Sequence, residues 1–226
     1  MRPHLFCRLQ YADVSAIRYT NAFAKVGLKI ELGVWNKLMA YKSLRCDLGG
    51  QATVYYHNAP RYWIRAMTFA PYFWNERDGE KLSAQVKAIP VKDEEAAAVL
   101  ACTLNSTLFY WWFILFSDSR HLNLREIQRF PFVFGSLNHR MRRELQAFCN
   151  NLMEDYQRHS LRKECHYKTT GKVVYDEFYP RFSKEILDSI DGVLASHFGL
   201  SNEELDFIIN YDIKYRMGQE ETEDDE

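Results

Sequence analysis

Two short stretches hold side chains able to read a polyanion. Arg61-Tyr62-Trp63-Ile64-Arg65 sets two guanidiniums beside two aromatic rings. Ser117-Asp118-Ser119-Arg120-His121-Leu122-Asn123 places six hydrogen-bonding residues in seven positions. Arginine grips guanine through two parallel N–H donors, and asparagine or glutamine grips adenine in the same way. Other cations hold phosphates and set register. On this chemistry the candidate DNA contacts are Arg61, Tyr62, Arg65, Asn75, Arg77, Ser117, Arg120, His121 and Asn123. Each also has a plainer use. A lone arginine is a solvated charge, an aromatic is core, and the SDSRHLN segment is a turn with the N-cap of a helix from Leu124.

Covalent chemistry finds no foothold in the residue pattern. Nucleotide and methyl-donor sites of Rossmann type need glycines that let backbone approach a phosphate or ribose. None of the ten glycines forms G-x-G, and G-x-x-x-x-G-K-[ST] and G-x-S-x-G are both missing. Methylation of a base amino group uses an N-P-P-Y type loop around a flipped base. The six prolines are never adjacent, so no such loop exists. A metal nuclease of P-D…[DE]-x-K type fails too, because the one acid-x-Lys, Asp212-Ile213-Lys214, stands alone. His57-Asn58-Ala59-Pro60 is a fragment of a His-Asn nuclease motif without its metal ligands. Five cysteines lack any C-x-x-C, and neither the His4/Cys7 nor the Cys165/His166 grouping has zinc spacing. The cysteine usage fits a reducing cytoplasm. No apolar signal core opens the chain. The expectation is no catalytic centre, metal or cofactor within this chain.

The 22 residues between Glu95 and Asp118 carry no charge. Their length would cross a bilayer, but Thr103, Asn105, Ser106 and Thr107 lie at the centre, and Tyr110, Trp111 and Trp112 lie inside instead of at both interfaces. The expectation is no membrane span but a buried helix, begun at Asp93-Glu94-Glu95, where acids suit the helix dipole. Periodicity leaves the aromatic end, LFYWWFILF, open between helix and buried strand.

With 226 residues, 47% of them hydrophobic, the chain can bury a sizeable core. Six acids crowd Glu220 to Glu226, leaving 29 basic and 24 acidic residues over 1–219. That mild basic excess permits nucleic-acid binding. Thr53–Tyr56 reads as a strand, and Arg61–Phe69 as a second. Gly49-Gly50 reads as a turn, and Asp78-Gly79 as a hairpin turn within a polar loop. Leu82–Val91 reads as extended, with Pro90 at an edge, and Phe130–Phe134 as a short buried segment. Past Gly135, apolar spacing of three or four predicts helices over Leu137–Arg162 and Ser183–Phe198, stopped by Gly199. Ser201-Asn202-Glu203-Glu204 is a capping box that opens a last helix. Lys163–Tyr179 reads as polar and irregular. The fold class expected is α+β: a 1–50 connecting segment, a mixed-sheet recognition region over 51–135, a helical region over 136–218 and an acidic tail over 219–226.

Three blocks carry a resemblance. YYHNAPRYWIRAMTFAPYFWNERDGEKLS, LNSTLFYWWFILFSDSRHLN and FYPRFSKEILDSIDGVLASHFGLSNEELDFIINYDIKYRMG resemble the C-terminal, target-recognition half of long prokaryotic adenine-specific DNA methyltransferases. Those enzymes belong to type II restriction-modification and related phage-defence systems. The resemblance spans roughly residues 50–218. It implies a chain that binds double-stranded DNA and reads its sequence, with S-adenosylmethionine and methyl transfer belonging to a catalytic domain or partner chain. The alternative reading is a protein-interaction module, or a remnant that docks on a separate methyltransferase chain.

Overall fold

The side chain of Asp93 accepts the Ala96 amide at 2.9 Å and starts the uncharged run as a helix. The computed structural model describes residues 12–13, 17–19, 22–44 and 48–217. The His4/Cys7 grouping, Cys46 and the acidic tail lie outside them. Within the described residues the order is β1 (Arg18–Tyr19), β2 (Ala22–Phe23), α1 (Lys29–Leu38), β3 (Leu48–His57), β4 (Ala66–Met67), β5 (Phe73–Asn75), β6 (Gly79–Glu80) and β7 (Val86–Val91). There follow α2 (Glu94–Asn105), α3 (Thr107–Phe116), α4 (Leu124–Arg129), α5 (His139–Arg158), β8 (Leu161–Tyr167), β9 (Gly171–Glu177), α6 (Lys184–Phe198), α7 (Asn202–Ile209) and α8 (Ile213–Arg216). The class is α+β. Among the described residues every strand pairing is antiparallel where a mixed sheet was expected.

One sheet runs β4-β3-β7 and packs one face on α2, while α5 and α6 cover α2 from other sides. Along β3, Ala52, Val54 and Tyr56 point inward with the strand's period of two. Pro90 lies on the edge strand β7, where its missing N–H breaks no inner ladder. Gly49-Gly50 is not a turn. It begins β3 at a register shift against β7, and a Cβ on Gly50 would lie 2.5 Å from the Val91 carbonyl oxygen. Of the expected strand over Arg61–Phe69, only Ala66–Met67 pairs. Upstream of it Arg61 turns left-handed (φ 51°), and the Trp63 amide bonds back to the Pro60 carbonyl at 2.9 Å.

A second sheet runs β6-β5-β9-β8. The stretch expected to be irregular, Lys163–Tyr179, supplies its outer hairpin. Sequence periodicity misses this hairpin because β8 is exposed almost throughout and needs no apolar face. Cross-strand ion pairs take that place: Arg162–Asp176, Lys163–Glu177 and Lys172–Glu164. The hairpin also ties the 136–218 region into one sheet with β5 and β6.

The uncharged run is two helices, α2 and α3, bent by 64° at Ser106. Among the described residues no single helix is long and apolar enough to cross a membrane. The aromatic end is helical, and Trp111, Phe109 and Phe113 are fully buried. Burying each such side chain stabilises by about 2 kcal/mol. Trp112 stacks on Trp35 at 5.8 Å and meets Phe130 edge-on at 5.7 Å. Both indoles find acceptors, Trp111 at the Glu31 carboxylate and Trp112 at the Glu126 carbonyl, each 3.2 Å away.

The polar centre of the run makes the bend. Asn105 is buried and mimics a neighbouring strand toward Ala66. Its Oδ1 accepts the Ala66 amide at 3.1 Å, and its Nδ2 donates to the Ala66 carbonyl at 2.7 Å. Tyr156 of α5 donates to the same Oδ1 at 2.9 Å. Ser106 caps α3 by accepting the Phe109 amide. Both Asp191 carboxylate oxygens, from α6, accept the Thr107 and Leu108 amides at 3.0 Å. Replacing Asn105 with isosteric Leu strands buried partners on β4, α2 and α5. Urea unfolding of Asn105→Leu is expected to show a loss of about 3–5 kcal/mol. Tyr156→Phe, which removes one of these bonds, is expected to lose about 1 kcal/mol.

Candidate nucleic-acid interface

Nine side chains with DNA-reading chemistry divide by position. The first group gathers where β3 ends. The Leu122 amide donates to the Asn58 carbonyl at 2.8 Å, and the Asn58 amide donates to the Gln85 carbonyl at 2.8 Å. These two bonds join the turn after β3, the SDSRHLN loop and the approach to β7. Arg61 and Tyr62 lie exposed on the turn, and Arg120, His121 and Asn123 lie exposed on the loop. The second group, Asn75 and Arg77, lies on the β5–β6 hairpin of the other sheet.

The loop is built by its own acid. Asp118 Oδ1 accepts the Arg120 and His121 amides at 2.9 and 3.0 Å, and Ser119 is left-handed (φ 62°). Those amide donors hold the Asp118 carboxyl below its usual range. Glu126 accepts the Asn123 amide at 3.1 Å and starts α4, so the turn-plus-cap geometry is present alongside the exposed cations. Arg125 also engages Glu126, with Nη2 at 2.8 Å.

Three candidates face inward. Asn75 is buried, accepting the Asp78 amide at 2.6 Å and donating to the Asp78 carboxylate at 3.2 Å, which closes the hairpin. Ser117 is buried; its Oγ accepts the Ser119 amide, and its carbonyl accepts Lys25 Nζ at 2.7 Å. Arg65 is half-buried, and its Nη2 donates to the Ala59 carbonyl at 3.2 Å. Their bonds hold loop backbone. Arg77 is exposed, 3.9 Å from the Asp78 carboxylate.

Sequence reading passed over Lys25, Gln85 and Lys87, which are exposed beside the first group. Lys25 is brought in by its bond to Ser117. Lys87 arrives by the register of β7, opposite Tyr56. No local pattern marks either, since both are placed by partners distant in sequence. Among the described residues no group of His, Cys, Asp and Glu could hold a metal ion. No family model, curated protein or solved structure shows significant similarity to the chain.

His57 ends β3, directly before Asn58. Its amide donates to the Arg65 carbonyl at 3.1 Å, while its Nε2 is buried without a hydrogen-bond partner. Burial first, and the Arg65 charge second, push the imidazole down to about 3. An unfolded histidine takes a proton near pH 6.5, so between about pH 3 and 6.5 the unfolded chain binds the extra proton. Stability from this group is present above pH 6.5 and falls as pH drops through that window, by up to about 1.4 kcal/mol per unit. His57→Gln does not titrate there. Between pH 7 and pH 5, urea unfolding is expected to show the natural chain losing roughly 2 kcal/mol more than the variant.

Proposed function

We propose that the chain is a DNA sequence-recognition module of an adenine-specific DNA methyltransferase, acting in a restriction-modification or phage-defence system. The observation that carries this reading is the Leu122–Asn58 bond. It sets the Arg61-Tyr62 turn beside the Arg120-His121 loop and leaves the cationic and aromatic side chains of both exposed. The residues around that bond come from two of the three blocks that resemble the recognition half of such enzymes. In this reading Arg61 and Arg120 divide between phosphate and base-edge contacts, and Tyr62 packs on sugar or an unstacked base. Methyl transfer and S-adenosylmethionine belong to a separate catalytic domain or chain in the cytoplasm, and the module places an adenine for flipping into it.

A second reading has support of its own. Leu161, Tyr167 and Phe182 are large apolar side chains more than half exposed, the first two on edge strand β8. Edge strands and exposed apolar groups serve docking between chains. Docking on a methyltransferase chain through this side is compatible with the DNA reading, or replaces it if DNA is not bound.

The test is selection of purified chain against a random duplex pool at low and near-physiological salt, with the bound fraction sequenced. Recognition predicts enrichment of one short motif. Arg61→Ala with Arg120→Ala is expected to weaken binding and lower the slope of log affinity against log salt by about 1, the share of the one that holds phosphate. Binding to a methyltransferase chain should survive that change. Affinity and salt slope identical to the natural chain would remove this corner as the DNA surface.

A further inference from the structure

Arg216 reaches the Arg61-Tyr62 turn from beneath. It ends α8 and is 3% exposed. Its Nε donates to the Tyr62 carbonyl at 3.2 Å, and its Nη1 donates to the Thr107 hydroxyl at 3.0 Å. Its guanidinium lies 3.9 Å from the centre of the Trp63 ring and 4.8 Å from that of Tyr110. In return the Trp63 indole donates to the Arg216 carbonyl at 2.9 Å. One side chain thus grips the backbone of Tyr62, the face of Trp63 and the first turn of α3. Asp191, bound to the adjoining Thr107 and Leu108 amides, supplies countercharge.

The turn needs such a grip. Arg61 is left-handed (φ 51°), a conformation that L side chains adopt only when their surroundings fix it. Among the described residues, three non-glycine positions are left-handed: Arg61, Ser119 and Asp212. Arg61 is on the turn, Ser119 is in the loop bonded to that turn, and Asp212 starts the helix that carries Arg216. A strained turn held by one buried cation, with an exposed cation and a half-exposed ring at its tip, is built to aim those two side chains.

We infer that Arg216 is a positioning residue that holds the Arg61–Trp63 turn in its DNA-contacting shape without touching DNA itself. This rests on the DNA reading above and deepens it. It assigns specificity partly to a residue buried behind the interface. Lysine keeps the charge but lacks the planar fork that spans the Tyr62 carbonyl and the Thr107 hydroxyl.

The test is a double-mutant cycle on the full chain with Arg61→Ala, Arg216→Lys and the double variant. Binding is read on a fluorescent mixed-sequence DNA duplex at low salt, and amide exchange is followed at Tyr62 and Trp63. Arg216→Lys is expected to speed exchange at these amides and weaken binding about tenfold, and the double variant should lose clearly less than the sum of the two single losses, the remainder being the share of Tyr62. If Arg216→Lys does not fold, Trp63→Phe removes the indole donor to the Arg216 carbonyl, shrinks the ring under its guanidinium, and should show the same coupling. Additive losses, or faster exchange with unchanged binding, would overturn the inference. Absence of binding by the natural chain would sink the DNA reading and the positioning role together, whereas binding that is lost on Arg61→Ala and untouched by Arg216→Lys would sink the positioning role alone.

Discussion

At the bend between α2 and α3, Thr103, Asn105, Ser106 and Thr107 lie with no more than 2% of their surface exposed. Buried hydrogen-bonding groups must be paired, and an unpaired one is expensive in an apolar surround. Thr103 satisfies its hydroxyl within its own helix at the Val99 carbonyl. Ser106 likewise stays local, donating to the Thr103 carbonyl and accepting the Phe109 amide, while Asn105 and Thr107 recruit partners from elsewhere: Ala66 on β4, Tyr156 on α5, Asp191 on α6 and Arg216 on α8. Those four partners fix how sheet, helices and terminal segment meet. The apolar residues around them supply most of the driving force, but apolar contact is non-directional and selects no single arrangement. The polar cluster supplies direction.

Much of the helical part was readable from spacing. The helix start at Asp93, the stop at Gly199 and the capping box at Ser201 follow from local rules and appear, and the amphipathic helix expected over Leu137–Arg162 appears as His139–Arg158, its last expected residues belonging to β8 instead. The sheets were less legible. β8 and β9 alternate no apolar residues because their outer faces are wet, and two-residue β4 is held by pairing with β3 and by a side chain 39 positions away. The aromatic end of the run was ambiguous because a helix and a buried strand are equally apolar. Its helical state follows from the Ser106 cap and from the carboxylate of Asp191, which no periodicity reveals.

The candidate interface was legible as chemistry and not as geometry. Arg61, Tyr62, Arg120, His121 and Asn123 are exposed around one corner, as a sequence of cations and amides in two loops suggests. Asn75 and Ser117 have the same chemistry and spend it on backbone, which only tertiary placement decides. The LNSTLF element illustrates the same split. It sits beside the loop in sequence, yet Asn105, Ser106 and Thr107 are architectural, and the exposed residues follow about a dozen positions later.

The span of these bonds also fixes an order of events in the cell. Thr107 meets Arg216 across 109 positions and Asp191 across 84. At ordinary translation speed, roughly 5–20 s separate the synthesis of Thr107 from that of Arg216. The most apolar segment of the chain exists without the carboxylate that caps α3 until Asp191 is made, and without the guanidinium that closes its first turn until Arg216 is made. The Trp-Trp segment can therefore meet its near partners Trp35 and Phe130 early, but the polar contacts that fix the start of its helix close only when the ribosome has reached the end of α8.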